Sequence, residues 1–190
     1  MKIFEQENFI PDYECKHLLW YQKNNASNDT SKWSDKYNDW SSRTVVLDCL
    51  WVDSYTRKIV EAIHYRCCIA LGKFYDIDAV YPEYNSLVYW CEGMDMKPHA
   101  DNTYIDAPHE RHYCPQRDYA GILYLNDDYQ GGHTYFPDHD YEVVPKTGKI
   151  IMFSAGVDDV HGVTEITEGH RYTMALWFTK KREFLFKLNE

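Results

Sequence analysis

No window of this 190-residue chain approaches the roughly 18 consecutive apolar residues of a membrane-spanning helix. The N-terminal MKIFEQENFIP also lacks the unbroken apolar core of a secretory signal, so we expect a soluble protein whose mature form starts at or near Met1. Cysteine is sparse: Cys15, Cys49, Cys67, Cys68, Cys91 and Cys114 contain no C-x-x-C pair and are too few for a disulfide scaffold, which points to reduced thiols. Positive charge is short as well. Twenty Lys and Arg stand against thirty Asp and Glu, the net charge is −10, and there is no Arg/Lys-rich stripe, so most of the surface would repel a phosphate backbone. Nucleic-acid and membrane partners are therefore disfavoured. No internal repeat or low-complexity tract is present, and the length suits one domain, residues 1–190.

Aromatic residues are abundant, with 17 Tyr, 6 Trp and 8 Phe, which favours a sheet-rich protein because large rings pack well on pleated faces. After Pro11, the spacing of Cys15, Leu18, Leu19 and Trp20 predicts a short helix. The polar run from Asn24 to Arg43 predicts a long surface loop or lid, whose Trp33, Tyr37 and Trp40 serve mainly as anchors. Asp53-Ser54 caps a second helix with an apolar stripe of Tyr55, Ile59, Ile63, Cys67, Ala70, Leu71 and Phe74. These helices form a support of about residues 1–80. Beyond Tyr81-Pro82 come short β-prone runs at Ser86–Cys91, Ala120–Asn126, His133–Phe136, Lys149–Phe153 and Arg171–Thr179. Strands without intervening helices predict a mainly β sandwich or jelly roll over about 81–181. The segment from Asn102 to Arg117 is too long for a hairpin turn and reads as a functional loop.

Three residues suggest a metal centre: His99-x-Asp101 and, far downstream, His161. Two imidazoles and one carboxylate are the open three-ligand face of a non-haem Fe(II) oxygenase, which leaves positions for a chelating co-substrate and O₂. A cation ten positions later, Arg171, is what the far end of a dicarboxylate such as 2-oxoglutarate would need. About one H-x-[DE] is expected by chance in a chain so acidic, so the specificity lies in the context. The stretch from His161 to Arg171 predicts a hairpin turning at Thr167-Glu168-Gly169 that carries both the ligand and the anion clamp. The remaining histidines, His17, His64, His109, His112 and His170, read as exposed polar residues. His133 lies in a Gly-Gly-x-Thr motif without a metal role, and Asp138-His139-Asp140 reads as a turn rather than a second ion site. Tyr124 and Tyr135 read as core rings on strands.

These motifs carry a family resemblance. His99-x-Asp101, the segment from Asp118 to Pro137, Pro145-x-x-Gly148-x-Ile-x-Met-Phe-Ser154, His161-Gly-Val and Gly169-x-Arg171-Tyr172-x-x-x-x-Trp177 resemble the 2-oxoglutarate- and Fe(II)-dependent dioxygenases of the prolyl hydroxylase class. The wording from Arg117 to Asp128 looks like the collagen prolyl 3-hydroxylases, and Gly-Gly-x-Thr-x-Phe-Pro looks more like the prolyl 4-hydroxylases. The resemblance runs from about Tyr81 to Lys181. It implies a double-stranded β-helix with the N-terminal helices packed on one sheet. It also implies that His99, Asp101 and His161 bind Fe(II), that Arg171 and Tyr89 hold 2-oxoglutarate, and that Trp177 lies near the substrate. Arg171 stands where collagen-type enzymes usually have Lys, which keeps the charge but presents a planar fork. The cofactors implied are Fe(II), 2-oxoglutarate and O₂, with ascorbate as a candidate reductant. The implied reaction is hydroxylation of an unactivated C–H, with release of succinate and CO₂. Prolyl residues of a protein or peptide are the leading substrate, and a free amino acid or small metabolite is the alternative. Rivals of other classes are a non-catalytic jelly-roll binding module and, ranked last, a nucleic-acid demethylase. Without an entry signal, a bacterial or viral-host cytosol is the expected location.

Overall fold

The structure is a computed structural model that describes residues 2–26, 43–47 and 52–185. The expected lid, with Trp33, Tyr37 and Trp40, lies outside the described residues. Helix α1, Asp12–Asn25, begins directly after Pro11, where a missing N–H costs nothing, and carries Asp12 and Glu14 in its first turn and Lys23 in its last, as the helix dipole favours. It buries Cys15, Leu18 and Tyr21, while Trp20 faces out. Helix α2, Ser54–Tyr75, is capped by the Asp53 carboxylate, which accepts from the backbone N–H of Tyr55 and Thr56. Its buried face holds Ile59, Val60, Ile63, Cys67 and Leu71, and also His64, which the sequence placed at the surface. The imidazole of His64 meets Phe178 edge-on, and burial pushes its pKa down to about 4. No helix among the described residues is long and apolar enough to cross a membrane.

Two antiparallel sheets face one another. The major sheet has the order β1 (Phe4–Gln6), β9 (Ile150–Ser154), β5 (Tyr119–Tyr124), β12 (His170–Thr179), β3 (Tyr81–Cys91) and β2 (Thr44–Val46). The minor sheet runs β4 (Met96–His99), β10 (His161–Val163), β7 (Thr134–Phe136) and β8 (Tyr141–Val143). A two-stranded pair, β6 (Gln130–Gly131) and β11 (Ile166–Glu168), links them at one end. Alternation along each major strand divides the core in two. Leu87, Tyr89, Leu123, Met152, Tyr172, Met174, Leu176 and Phe178 pack under the helices, whereas Val88, Trp90, Ala120, Tyr124, Phe153, Ala175 and Trp177 face the minor sheet. The helices thus cover one face of the major sheet, and the other face is free to line a cavity.

The hairpin expected between His161 and Arg171 is not what forms. β10 pairs with β4 and β7 in the minor sheet, and β12 pairs with β3 and β5 in the major one. The intervening Ile166–Glu168 pairs with β6 instead. Sequence alternation locates strands but does not say which sheet each joins, and here the chain crosses between sheets. The Gly131-Gly132 pair makes the crossing possible: both have positive φ, and a Cβ on Gly131 would lie 2.0 Å from the Glu165 carbonyl oxygen.

Candidate metal centre and its cavity

His99 and His161 are directly paired across β4 and β10, their rings 4.5 Å apart. Asp101 lies two residues past the end of β4, and its backbone N–H donates to the Ala155 carbonyl at 2.9 Å. Its carboxylate reaches both imidazoles, with Oδ2 3.7 Å from Nε2 of His161 and Oδ1 4.0 Å from Nε2 of His99. Among the described residues this is the one cluster of three His, Cys, Asp or Glu side chains able to share an ion, all donor atoms falling within 4.8 Å of one another. Both tautomers are set by backbone. Nδ1 of His99 faces the Lys97 carbonyl at 3.0 Å, and Nδ1 of His161 faces that of Asp159 at 3.2 Å. A carbonyl can only accept, so each Nδ1 is placed to donate to backbone, and Nε2 is the ring nitrogen left free to ligate. Burial pushes the pKa of His161 to about 4, which keeps that imidazole neutral as a ligand must be.

The three residues stand at the edge of a chamber of about 50 Å³ between the sheets, lined also by Val88, Trp90, Phe153, Thr173 and Arg171. Arg171 is 1% exposed, and its Nε and Nη2 have no hydrogen-bond partner among the described residues. Its guanidinium carbon sits 5.1 Å from the Trp90 ring and 5.5 Å from that of Tyr124. Burying an uncompensated guanidinium is costly, so the arrangement makes physical sense when an anion docks against it. The donor set opposite, two imidazoles with one carboxylate, suits a ferrous ion. The residues present therefore fit both groups of an iron and diacid site. Gly132 belongs to the same design, because a Cβ there would lie 3.0 Å from Cδ of Arg171.

Beyond the histidines the chamber opens into a wider cleft of about 630 Å³, lined by Tyr84, Met96, Lys97, Pro98, Tyr113, Arg117 and Trp177 among others. Trp177 borders both spaces, and its Nε1–H is buried without a hydrogen-bond partner among the described residues. Arg117 stacks 4.2 Å from the Trp177 ring and is neutralised by Glu83 at 3.0 Å, whose other oxygen accepts from Gln116. The loop from Asn102 to Arg117 is closed by a 2.7 Å hydrogen bond from the Asn102 amide to the Arg117 carbonyl. His112, expected at the surface, is buried within it between Tyr104 and Tyr113.

Tyr89 is not at the site. It faces the helices, packs on Tyr172 and hydrogen-bonds His170 at 2.8 Å, so a role in holding the co-substrate does not fit. The alternation of β3 presents its neighbour Trp90 to the chamber instead. Tyr124, read from sequence as a core ring, sits against Arg171 with its hydroxyl donating to Thr134 at 2.7 Å. The missed signal is parity: in the β12–β5 register Tyr124 lies opposite Thr173, two residues from Arg171 on the same face. His133 pairs with Glu142 away from the cluster, and Asp138-His139-Asp140 forms a 3₁₀ turn ending at Asp140 with φ 48.

The family model described as the 2OG-Fe(II) oxygenase superfamily matches residues 82–179. The chain belongs to this superfamily. Its members are dioxygenases that use Fe(II), 2-oxoglutarate and O₂. Human prolyl 3-hydroxylase 3 is 41% identical over 91 residues, covering 43% of this chain and 12% of that protein. Rat prolyl 3-hydroxylase 2 is 41% identical over 93 residues, covering 43% and 13%. The chain therefore spans about one-eighth of the length of these relatives. In fold it is similar to a viral collagen prolyl hydroxylase from Paramecium Bursaria Chlorella virus-1 in complex with 2OG (TM-score 0.71, 18% identity, 94% of this chain and 96% of that one). It also resembles a Pseudomonas putida prolyl-4-hydroxylase (TM-score 0.65, 16% identity, 95% and 93%). A Trichoplax adhaerens prolyl hydroxylase bound to a hypoxia inducible factor peptide gives 0.64 at 17% identity, over 96% and 86%. At these identities the structural likeness concerns the jelly-roll fold.

Proposed function

We propose that this dioxygenase hydroxylates prolyl residues of a protein or peptide. In this reading Nε2 of His99, the carboxylate of Asp101 and Nε2 of His161 hold Fe(II), and Arg171 takes the far carboxylate of 2-oxoglutarate through its planar fork. Together, bound Fe(II), 2-oxoglutarate and O₂ supply oxidative decarboxylation to succinate and CO₂, with the second oxygen atom going to a substrate C–H. The chain's own part is placement. Backbone carbonyls fix both imidazoles, and the walls of Val88, Trp90, Phe153 and Thr173 exclude water from the chamber. Neutral His161 needs no proton removed before it can ligate.

The observation that carries the substrate class is the outer cleft. Its volume is far larger than a free amino acid needs, it opens beside His99 and Asp101, and its aromatic side chains Tyr84, Tyr113 and Trp177 offer flat faces to pyrrolidine rings. The unpartnered Nε1–H of Trp177 is suited to a backbone carbonyl of such a chain. The similarity to prolyl 3-hydroxylases over the same half of the sequence supports the choice of proline. The test is incubation with Fe(II), 2-oxoglutarate and ascorbate against a panel of proline-rich peptides and free amino acids, read by mass spectrometry. A gain of one oxygen on peptidyl proline is expected. Oxygen appearing only on a free amino acid would transfer the reading to small molecules, and zero succinate release with no bound metal would leave a binding module.

A further inference from the structure

The Asp138-His139-Asp140 motif forms a 3₁₀ turn, and His139 is tied from there to the metal cluster through one short linker. Residues 155–160 connect β9 of the major sheet to β10 of the minor sheet, and two backbone carbonyls of this linker set two of the three candidate ligands. The Ala155 carbonyl accepts from the backbone N–H of Asp101 at 2.9 Å and of Asn102 at 3.1 Å. The Asp159 carbonyl accepts from Nδ1 of His161 at 3.2 Å. The position of this linker therefore decides where a carboxylate and an imidazole meet.

The Ala155 N–H donates to the Asp118 carbonyl at 3.0 Å, and the far part of the linker is held by the side chain of Asp159, 5% exposed. One oxygen accepts from the backbone N–H of Ser154, at the end of β9, at 3.0 Å. The other lies 3.2 Å from Nε2 of His139, which also lies 2.8 Å from the Asp158 carbonyl. Both neighbours of that nitrogen are acceptors, so Nε2 carries the proton and donates to the two of them. His139 comes from the 3₁₀ turn after β7, a strand paired with β10. Asp159 thus joins the major-sheet strand before the linker to the turn beside the minor-sheet strand after it, and His139 supplies the second anchor. Partners that orient ligands from outside the coordination sphere are worth about 10- to 100-fold in metal affinity.

We infer that His139 and the Asp159 carboxylate are positioning residues for the metal centre, and that His139 acts as the donor that locks the 155–160 linker. Neither touches the ion. The inference rests on His99, Asp101 and His161 being the ligands.

The experiment compares wild type, His139→Ala, His139→Gln and, as control, His133→Ala, whose imidazole pairs with Glu142 on the same sheet but not with the linker. Co(II) is the probe, its affinity measured by calorimetry and its ligand-field absorption spectrum recorded, with thermal melting of the metal-free proteins alongside. His139→Ala is expected to weaken Co(II) binding about tenfold and to change the spectrum. His139→Gln, whose amide N–H can donate to the same oxygens, should recover most of the affinity and the native spectrum, and His133→Ala should match wild type. Native affinity and spectrum in His139→Ala overturn the inference. So does an equal loss in the Ala and Gln variants that follows their melting temperatures, since that marks a role in folding alone. If wild type itself binds no Co(II), the ligand assignment falls and takes this inference with it.

Discussion

The two faces of β12 differ by one residue in phase and by everything in chemistry. Tyr172, Met174, Leu176 and Phe178 point under the helices into a dense apolar core, whereas Arg171, Thr173, Ala175 and Trp177 point into the chamber. On the helix side even His64 is held neutral by burial. On the chamber side two guanidinium nitrogens of Arg171 and the indole N–H of Trp177 are buried without hydrogen-bond partners among the described residues. A purely structural face would replace such groups with apolar ones, since a lone buried charge costs more than it returns. The contrast teaches that the chamber face is shaped for a ligand and the helix face for stability, so substitutions on the two should fail in different ways.

The sharpest test of that division is Arg171→Met. Removing the fork should raise the KM for 2-oxoglutarate by about 100-fold, the lower part of the range for truncating one partner of a buried charge pair. Thermal melting of the metal-free protein should stay level or rise, because an uncompensated buried charge has gone. A KM unchanged from wild type, or a large loss of melting temperature, would put Arg171 with the structural residues.

On the other face the expected failure is of stability, and it depends on pH. The folded-state pKa of His64, about 4, lies below the ordinary value of 6.5, so between these limits the unfolded chain binds more protons than the folded one. Stability should therefore fall as pH drops from about 6.5 to 4, by on the order of 3 kcal/mol from this residue. His161 adds a similar acid sensitivity to the metal-free protein. Denaturant unfolding of His64→Leu at pH 7 and pH 4.5 should show a smaller acid loss than wild type, with 2-oxoglutarate KM at neutral pH unaltered. An identical acid loss in both proteins would mean that His64 titrates normally in the fold.

Trp177→Phe should have the smallest effect of the three. It keeps an aromatic ring beside Arg117 and removes the unpartnered N–H with part of the ring surface, so a rise of about fivefold in peptide KM is expected, close to the worth of one hydrogen bond. The KM for 2-oxoglutarate should not move. If both constants rise together, the indole shapes the chamber rather than meeting the peptide.

The same one-residue phase explains what the sequence did and did not reveal. The His99-x-Asp101 spacing, a distant His161 and Arg171 were legible because their chemistry is rare in combination, and the strand cores around Val88, Leu123, Ile151 and Leu176 were legible from β-prone runs. Tyr89 was misread because a spacing from His99 does not fix which side of β3 a residue faces, and the structure turns Trp90 inward instead. The supposed hairpin failed because strands in opposite sheets can be as near in sequence as strands in one. His64 and His112 were assigned to the surface on residue type alone, although His64 sits on the buried stripe of α2 one position after Ile63. Tyr124 is the core ring the sequence suggested, and only its place against Arg171 was not legible.

The most direct measurement is an anaerobic calorimetric titration of 2-oxoglutarate into the Mn(II)-loaded protein, repeated without metal and with Asp101→Ala and Arg171→Met. Binding of one 2-oxoglutarate per chain that requires the metal, disappears in Asp101→Ala and weakens about 100-fold in Arg171→Met is the predicted result. Binding indifferent to the metal and to both substitutions, or no binding by wild type, would contradict the assignment of the chamber as an iron and diacid site.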